Sequence, residues 1–282
     1  MHTPDPVRGW RNRPGSYDSP YGQVTILGDG SRATSRTPPQ SDRKIVFIGG
    51  SFTFGQSVGD EETFAWQLQA SDPSRRYLNY GSGAYGSYQA LLTLEELLAA
   101  GPPPAVVVYG YISHHQARNI AAAEWVRALS TVARAEAPAV PYCVLREDGF
   151  LERRPPLAYP IWPLRETFVL PSFVGDRWLI WSRNWDGARR AAVTQALLRE
   201  LRAVCADRGI RFLVALLDVP RPGGGWEPRF LRAEEIETAN CRMSLSDGLA
   251  VPRDGHPNGK GHARFAQCLA EALGFEASSN EE

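Results

Sequence analysis

Residues 44–55 read KIVFIGGSFTFG. Four apolar residues, Ile45-Val46-Phe47-Ile48, halt at Gly49-Gly50 and are followed at once by Ser51. An apolar run of this length, bounded by turn residues, reads as a short strand buried on both faces, as in a parallel sheet. A buried strand needs no serine at its end. Ser51 either caps the next turn or is a nucleophile raised at the rim of a sheet, and this stretch alone leaves both open.

Working outward, the same rhythm continues. YLNYG (77–81), PAVVVYGY (104–111) and IRFLVALLD (210–218) are further strand-like runs. Between them lie helical patterns: DEETFAWQLQA with Asp60 as its expected N-cap, and YQALLTLEELLAAG with Leu91, Leu94 and Leu98 on one side and Gly101 as its stop. Three more follow, IAAAEWVRALSTVARAEA, GARRAAVTQALLRELRAVCADRG and the last, GKGHARFAQCLAEALG, with Phe265, Leu269 and Leu273 at four-residue spacing. Apolar strands alternating with amphipathic helices predict an α/β/α domain with a mainly parallel sheet, whose strands include 44–48, 105–110 and 211–217.

Residues 1–40, rich in Pro, Gly, Ser and Arg, read as an irregular arm or loose hairpin on a domain spanning 41–275, and 276–282 as a disordered tail. An insertion at about 138–187 opens with a hairpin signal around Asp148-Gly149. It then carries Trp162, Phe168, Phe173, Trp178, Trp181 and Trp185, read as a satellite core in preference to a sugar or acyl-chain wall.

Composition narrows the partners. The chain has 282 residues, formal net charge zero and 43% hydrophobic residues. It shows no electrostatic footprint for nucleic acid or an anionic membrane. No run approaches 18 apolar residues and the amino terminus lacks a signal-peptide h-region, so a cytoplasmic protein without a membrane span is expected. Cys143, Cys205, Cys241 and Cys268 are scattered, without C-x-x-C or metal-ligand spacing, and read as reduced thiols. No metal and no cofactor is expected. Oligomeric state is not legible.

In an open parallel sheet the ligand crevice lies beyond the carboxyl ends of the strands, where Ser51 and the segment after VVVYGY would meet. A serine nucleophile needs a base and a group to orient it. The histidines are His2 (in the terminus), His114, His115, His256 and His262. In RDGHPNGKGH (253–262), Asp254 and His256 stand two apart and share one side of an extended loop. The same tetrapeptide also reads as a turn with a solvated Asp.

IGGSFTFG (48–55), NYGSGAYGSYQ (79–89), VVVYGYISHH (106–115) and DGHPNGKGHARFA (254–266) resemble, in order, the four signature blocks of the SGNH (GDSL-like) hydrolases. The first block is most similar to the bacterial branch whose block reads like LGDSFTFG, and the resemblance spans residues 44–273. It implies a three-layer α/β/α fold of flavodoxin-like SGNH type and ester hydrolysis or acyl transfer from a serine without the usual nucleophile elbow. By position it makes Ser51 the nucleophile, His256 the general base and Asp254 its orienter.

The chain also departs from the pattern. Gly50 stands where the family has Asp, and the oxyanion glycine falls on Ala84 or, one residue earlier, Gly83. Ser113-His114-His115 replaces the third-block Asn, so His114 or Asn119 becomes the candidate side-chain donor. His114 and His115 read equally as substrate handles or polar lining. The resulting expectation is a serine esterase or deacylase acting on an O-acylated sugar or small-metabolite ester. An acyltransferase with the same triad, or an inactive binding protein on this fold, are the alternatives.

Overall fold

The computed structural model describes residues 1–132, 139–158, 169–183, 187–221, 223–246 and 248–274. The arm folds into two antiparallel hairpins, His2–Asp5 (β1) with Gly9–Asn12 (β2), and Gly15–Ser19 (β3) with Gly22–Ile26 (β4). It is therefore more regular than its composition implied, and His2 lies within a strand. Next come Lys44–Gly49 (β5), Arg76–Asn79 (β6) and Val106–Tyr111 (β7). Val140–Leu145 (β8) and Leu151–Leu157 (β9) form the hairpin around Asp148-Gly149, and Arg211–Leu216 (β10) and Glu237–Asn240 (β11) complete the strands.

The central sheet runs β6-β5-β7-β10-β11, and every pair in it is parallel. Side-chain alternation splits each strand between two layers. Val46, Ile48, Val107, Tyr109 and Val214 face Ser87–Ala100 (α3) and Gly187–Ala206 (α7), through Leu91, Leu94, Leu197 and Leu201 among others. Ile45, Phe47, Val108, Leu213 and Ala215 face Phe64–Ser71 (α2) and Gly259–Ala272 (α9), through Phe64, Leu68, Phe265 and Leu269. The result is a three-layer α/β/α fold. After β5 the chain adds β6 on one side, then crosses to β7 on the other, so the switch point lies between the carboxyl ends of β5 and β7.

Four local expectations are corrected. The polar segment Glu237–Asn240 is a fifth parallel strand, stabilised by edge pairing with β10 despite its weak apolar signal. Asp60 is not the cap of α2. Thr63 is, its Oγ1 accepting from the Trp66 N–H at 3.2 Å, while Asp60 is buried against Arg32. Cys241 and Cys268 form a disulfide, because the fold brings the end of β11 against α9 although they stand 27 positions apart; Cys143 and Cys205 are free and buried. In the insertion, Phe173, Trp178 and Trp181 on Val169–Arg183 (α6) are exposed and form no core, whereas Leu179 is buried. Trp162, Phe168, Trp185 and the tail 276–282 lie outside the described residues. Among the described residues no helix is long and apolar enough to cross a membrane.

Candidate active site

β5 ends in Gly49, and Gly50 is an extended residue that opens the single-turn helix Ser51–Phe54. Ser51 is 5% exposed. Among the described residues neither its Oγ nor its N–H, an orphan donor at a helix start, has a partner. Gly55 closes the turn in the left-handed region, and the loop beyond carries Ser57.

From the far end of the chain, residues 249–258 fold back over the same edge. The Val251 N–H donates to the His256 carbonyl at 2.8 Å, and Gly255 adopts φ +80°. The segment is thus a tight turn rather than an extended loop, yet it still brings Asp254 and His256 together, with Nδ1 to Oδ1 at 2.9 Å. With Nδ1 protonated toward the carboxylate, Nε2 is left as the basic nitrogen. Ser57 Oγ donates to the other carboxylate oxygen, Asp254 Oδ2. Partial burial pushes the Asp254 carboxyl up, but the hydrogen bonds from Ser57 and His256 outweigh it and hold the group below its ordinary value. The His256 ring packs on Phe52, the neighbour of Ser51, with centroids 5.6 Å apart. No hydrogen bond joins His256 to Ser51 Oγ in this structure.

The second block lies beside the Ser51 turn: the Ser82 N–H donates to the Gly49 carbonyl at 3.1 Å. The arm clamps this loop from outside, Trp10 Nε1 donating to the Gly83 carbonyl at 3.0 Å and Asn12 Nδ2 to the Gly81 carbonyl at 2.9 Å. Ala84 sits at φ +69°, which for an L-residue costs about 1–2 kcal/mol. The N–H groups of Gly83 and Ala84 have no partner among the described residues.

The third block divides. Ser113 donates its N–H to Asp218 Oδ2 at 2.7 Å, which pins the end of β7 to the end of β10. His114 stands at the rim, and burial with the positive fields of Arg118, His256 and Arg221 holds it below the usual imidazole range against the pull of Asp218. His115, expected to line the crevice, is fully buried instead. Its Nδ1 meets Tyr109 Oη at 2.6 Å, and burial followed by the field of Arg118 holds it well below its ordinary value, so the ring is neutral.

Asn119 is unavailable to an oxyanion: Nδ2 donates to Ser87 Oγ at 3.0 Å and Thr194 Oγ1 at 2.9 Å, and Oδ1 accepts from the Tyr88 N–H. Ser57, Asp218 and Arg118 were missed. The rule that strand ends share one rim would have found Asp218, the last residue of IRFLVALLD.

No family model matches the chain, and no curated protein does. Solved structures with a similar backbone path do exist. They include GDSL-family lipolytic proteins and esterases. A member of the lipolytic protein G-D-S-L family from Veillonella parvula is 10% identical with a TM-score of 0.47, covering 81% of this chain and 96% of that one. Axe2, an acetylxylan esterase from Geobacillus stearothermophilus, is 14% identical at a TM-score of 0.45, with coverage of 85% and 98%. The psychrotrophic esterase EstA from a Pseudoalteromonas species is 12% identical at 0.46, with coverage of 82% and 97%.

Proposed function

We propose that the chain is a serine ester hydrolase of the SGNH type, with Ser51 as nucleophile, His256 as general base and Asp254 as its orienter. The observation that carries the reading is the Asp254–His256 pair held against Phe52, one residue from a serine whose hydroxyl and N–H have no partner among the described residues. As an ester enters, Ser51 Oγ and His256 Nε2 close to about 2.6–3.2 Å. Oγ bonds to the carbonyl carbon while its proton passes to Nε2, and Asp254 stabilises the resulting imidazolium. The N–H groups of Ser51 and of Ala84 or Gly83 receive the oxyanion. His256 then protonates the leaving alkoxide, and water, deprotonated by the same ring, releases the acid.

His114, exposed at the end of β7 and neutral at pH 7, is the remaining side-chain candidate for the donor role in place of an Asn. The substrate class that fits is an O-acylated sugar or small metabolite. A panel of p-nitrophenyl esters and acetylated sugars tests the assignment. Ser51→Ala and His256→Ala should each abolish turnover, and Asp254→Asn should leave a residual rate. Alcohol acceptors in the same assay should not divert the acyl group. Full turnover by Ser51→Ala would reject the assignment.

A further inference from the structure

We infer that Arg118 is a positioning residue that joins the two backbone halves of the oxyanion site and sets a cation beneath them. The inference rests on the ester-hydrolase reading and adds a residue to which neither the block pattern nor the triad gives a role.

His115–Asn119 (α4) carries both His115 and Arg118, and it lies against the nucleophile turn because residue 50 has no side chain. A Cβ at Gly50 would stand 2.6 Å from His115 Nε2 and 3.1 Å from Arg118 Nη1. A Cβ at Gly86 would stand 2.9 Å from Arg118 Cβ. The His115 and Arg118 side chains thus occupy the volume that a residue-50 side chain would need. His115 Nε2 is buried and unpartnered there, so the ring acts on the turn by packing.

Arg118 reaches further. Nη1 donates to the Tyr85 carbonyl at 2.8 Å, one residue beyond Ala84, and stands 3.1 Å from where a Gly50 Cβ would lie, so a single guanidinium is bonded to the loop that presents the Ala84 N–H and lies close to the turn that presents the Ser51 N–H. The group lies over the Trp125 ring, 4.7 Å from its centroid.

Its charge is the second observation. Of the three buried arginines, Arg8 faces Asp5 and Glu96 and Arg32 faces Asp60, but Arg118 meets no carboxylate among the described residues. Burial lowers its pKa to about 10, which still leaves a cation at neutral pH. A buried cation without a counter-ion is costly to hold. Held beside the two turns that present the oxyanion N–H groups, and fixed there in advance, such a cation stabilises developing negative charge more than it stabilises the ground state. Arg118 thereby offsets the Asn donor that this third block lacks.

The test is steady-state kinetics on a p-nitrophenyl ester for wild type, Arg118→Met, Arg118→Lys and Ser51→Ala, with thermal melts of each. Arg118→Met should lose about 10²-fold in kcat with KM changed less than about twofold, as expected for an interaction made in the transition state. Arg118→Lys, which keeps the charge but not the fork, should lose about tenfold. A folded Arg118→Met with wild-type kcat, or a loss confined to KM, overturns the inference. If Arg118→Met does not fold, Arg118→Lys decides: wild-type kcat overturns the inference, and a kcat loss at constant KM upholds it. Failure of the hydrolase reading would show separately, as wild-type turnover equal to that of Ser51→Ala.

Discussion

Replacing Arg32 by Met should loosen the arm's hold on the loop that follows Ser51. Arg32 is 1% exposed, and its Nε donates to Asp60 Oδ1 at 2.9 Å. Nη1 donates to the carbonyls of Phe54, at 3.0 Å, and Gly55, and Nη2 to that of Val58 at 2.8 Å. Met keeps most of the stem's volume and removes every one of these bonds. Breaking a buried ion pair from one side costs about 3–5 kcal/mol, because the partner charge stays buried. Carbonyls left without donors add about 1 kcal/mol each unless water enters. Asp60 keeps the Thr25 N–H at 2.9 Å, which reduces the loss, so about 4 kcal/mol is a fair net value.

At about 2–4 °C per kcal/mol for a chain of this size, Tm should fall by about 10 °C. Circular-dichroism melts of Arg32→Met and of the double variant Arg32→Met/Asp60→Asn supply the measurement. The double variant should recover part of the loss, since the uncompensated carboxylate is gone. A single variant within about 2 °C of wild type would refute the argument.

Two further outcomes concern pH and redox state. His262 is fully buried, its Nδ1 accepting from the Phe64 N–H at 3.3 Å, and burial, with smaller contributions from Arg32 and His256, lowers its pKa to about 3. The unfolded chain binds the proton near pH 6.5, so stability should be complete above that pH and fall by about 1.4 kcal/mol per unit as pH drops from 6.5 toward 3, with His115 acting in the same direction. Urea melts at pH 7, 6 and 5 read the slope, and a flat profile would contradict it. The Cys241–Cys268 bond closes a loop with a sequence separation of 27, worth about 3–4 kcal/mol on a chain-entropy estimate. Cys241→Ser/Cys268→Ser should therefore melt about 10 °C lower, and an unchanged Tm would contradict it.

The sequence disclosed what depends on local periodicity. KIVFIGG and IRFLVALLD are buried on both faces, and an uninterrupted apolar run is the signature of that environment. Glu237–Asn240 escaped because it is a four-residue edge strand with one strand neighbour, whose side chains include one buried apolar residue, Ala239, and a Glu237 paired with Arg211 on β10. Asp254 and His256 were legible as a pair because they stand two positions apart, whatever turn they occupy. What escaped involved long-range partners: Ser57 reaching Asp254 across 197 positions, and Cys241 reaching Cys268 across 27. His115 and Asn119 were legible as polar residues of the third block, but burial decides their roles. One packs under Gly50 and the other is fully bonded inside α3 and α7.

The central claim is that Ser51 is a nucleophile activated by His256, and covalent labelling tests it without knowledge of the substrate. Intact-mass spectrometry after treatment with a fluorophosphonate should show one adduct on the wild-type protein. Ser51→Ala should show none, and His256→Ala should react at least about 100-fold more slowly. An adduct of equal extent on Ser51→Ala, or a wild-type protein left unmodified at neutral pH, would contradict the account.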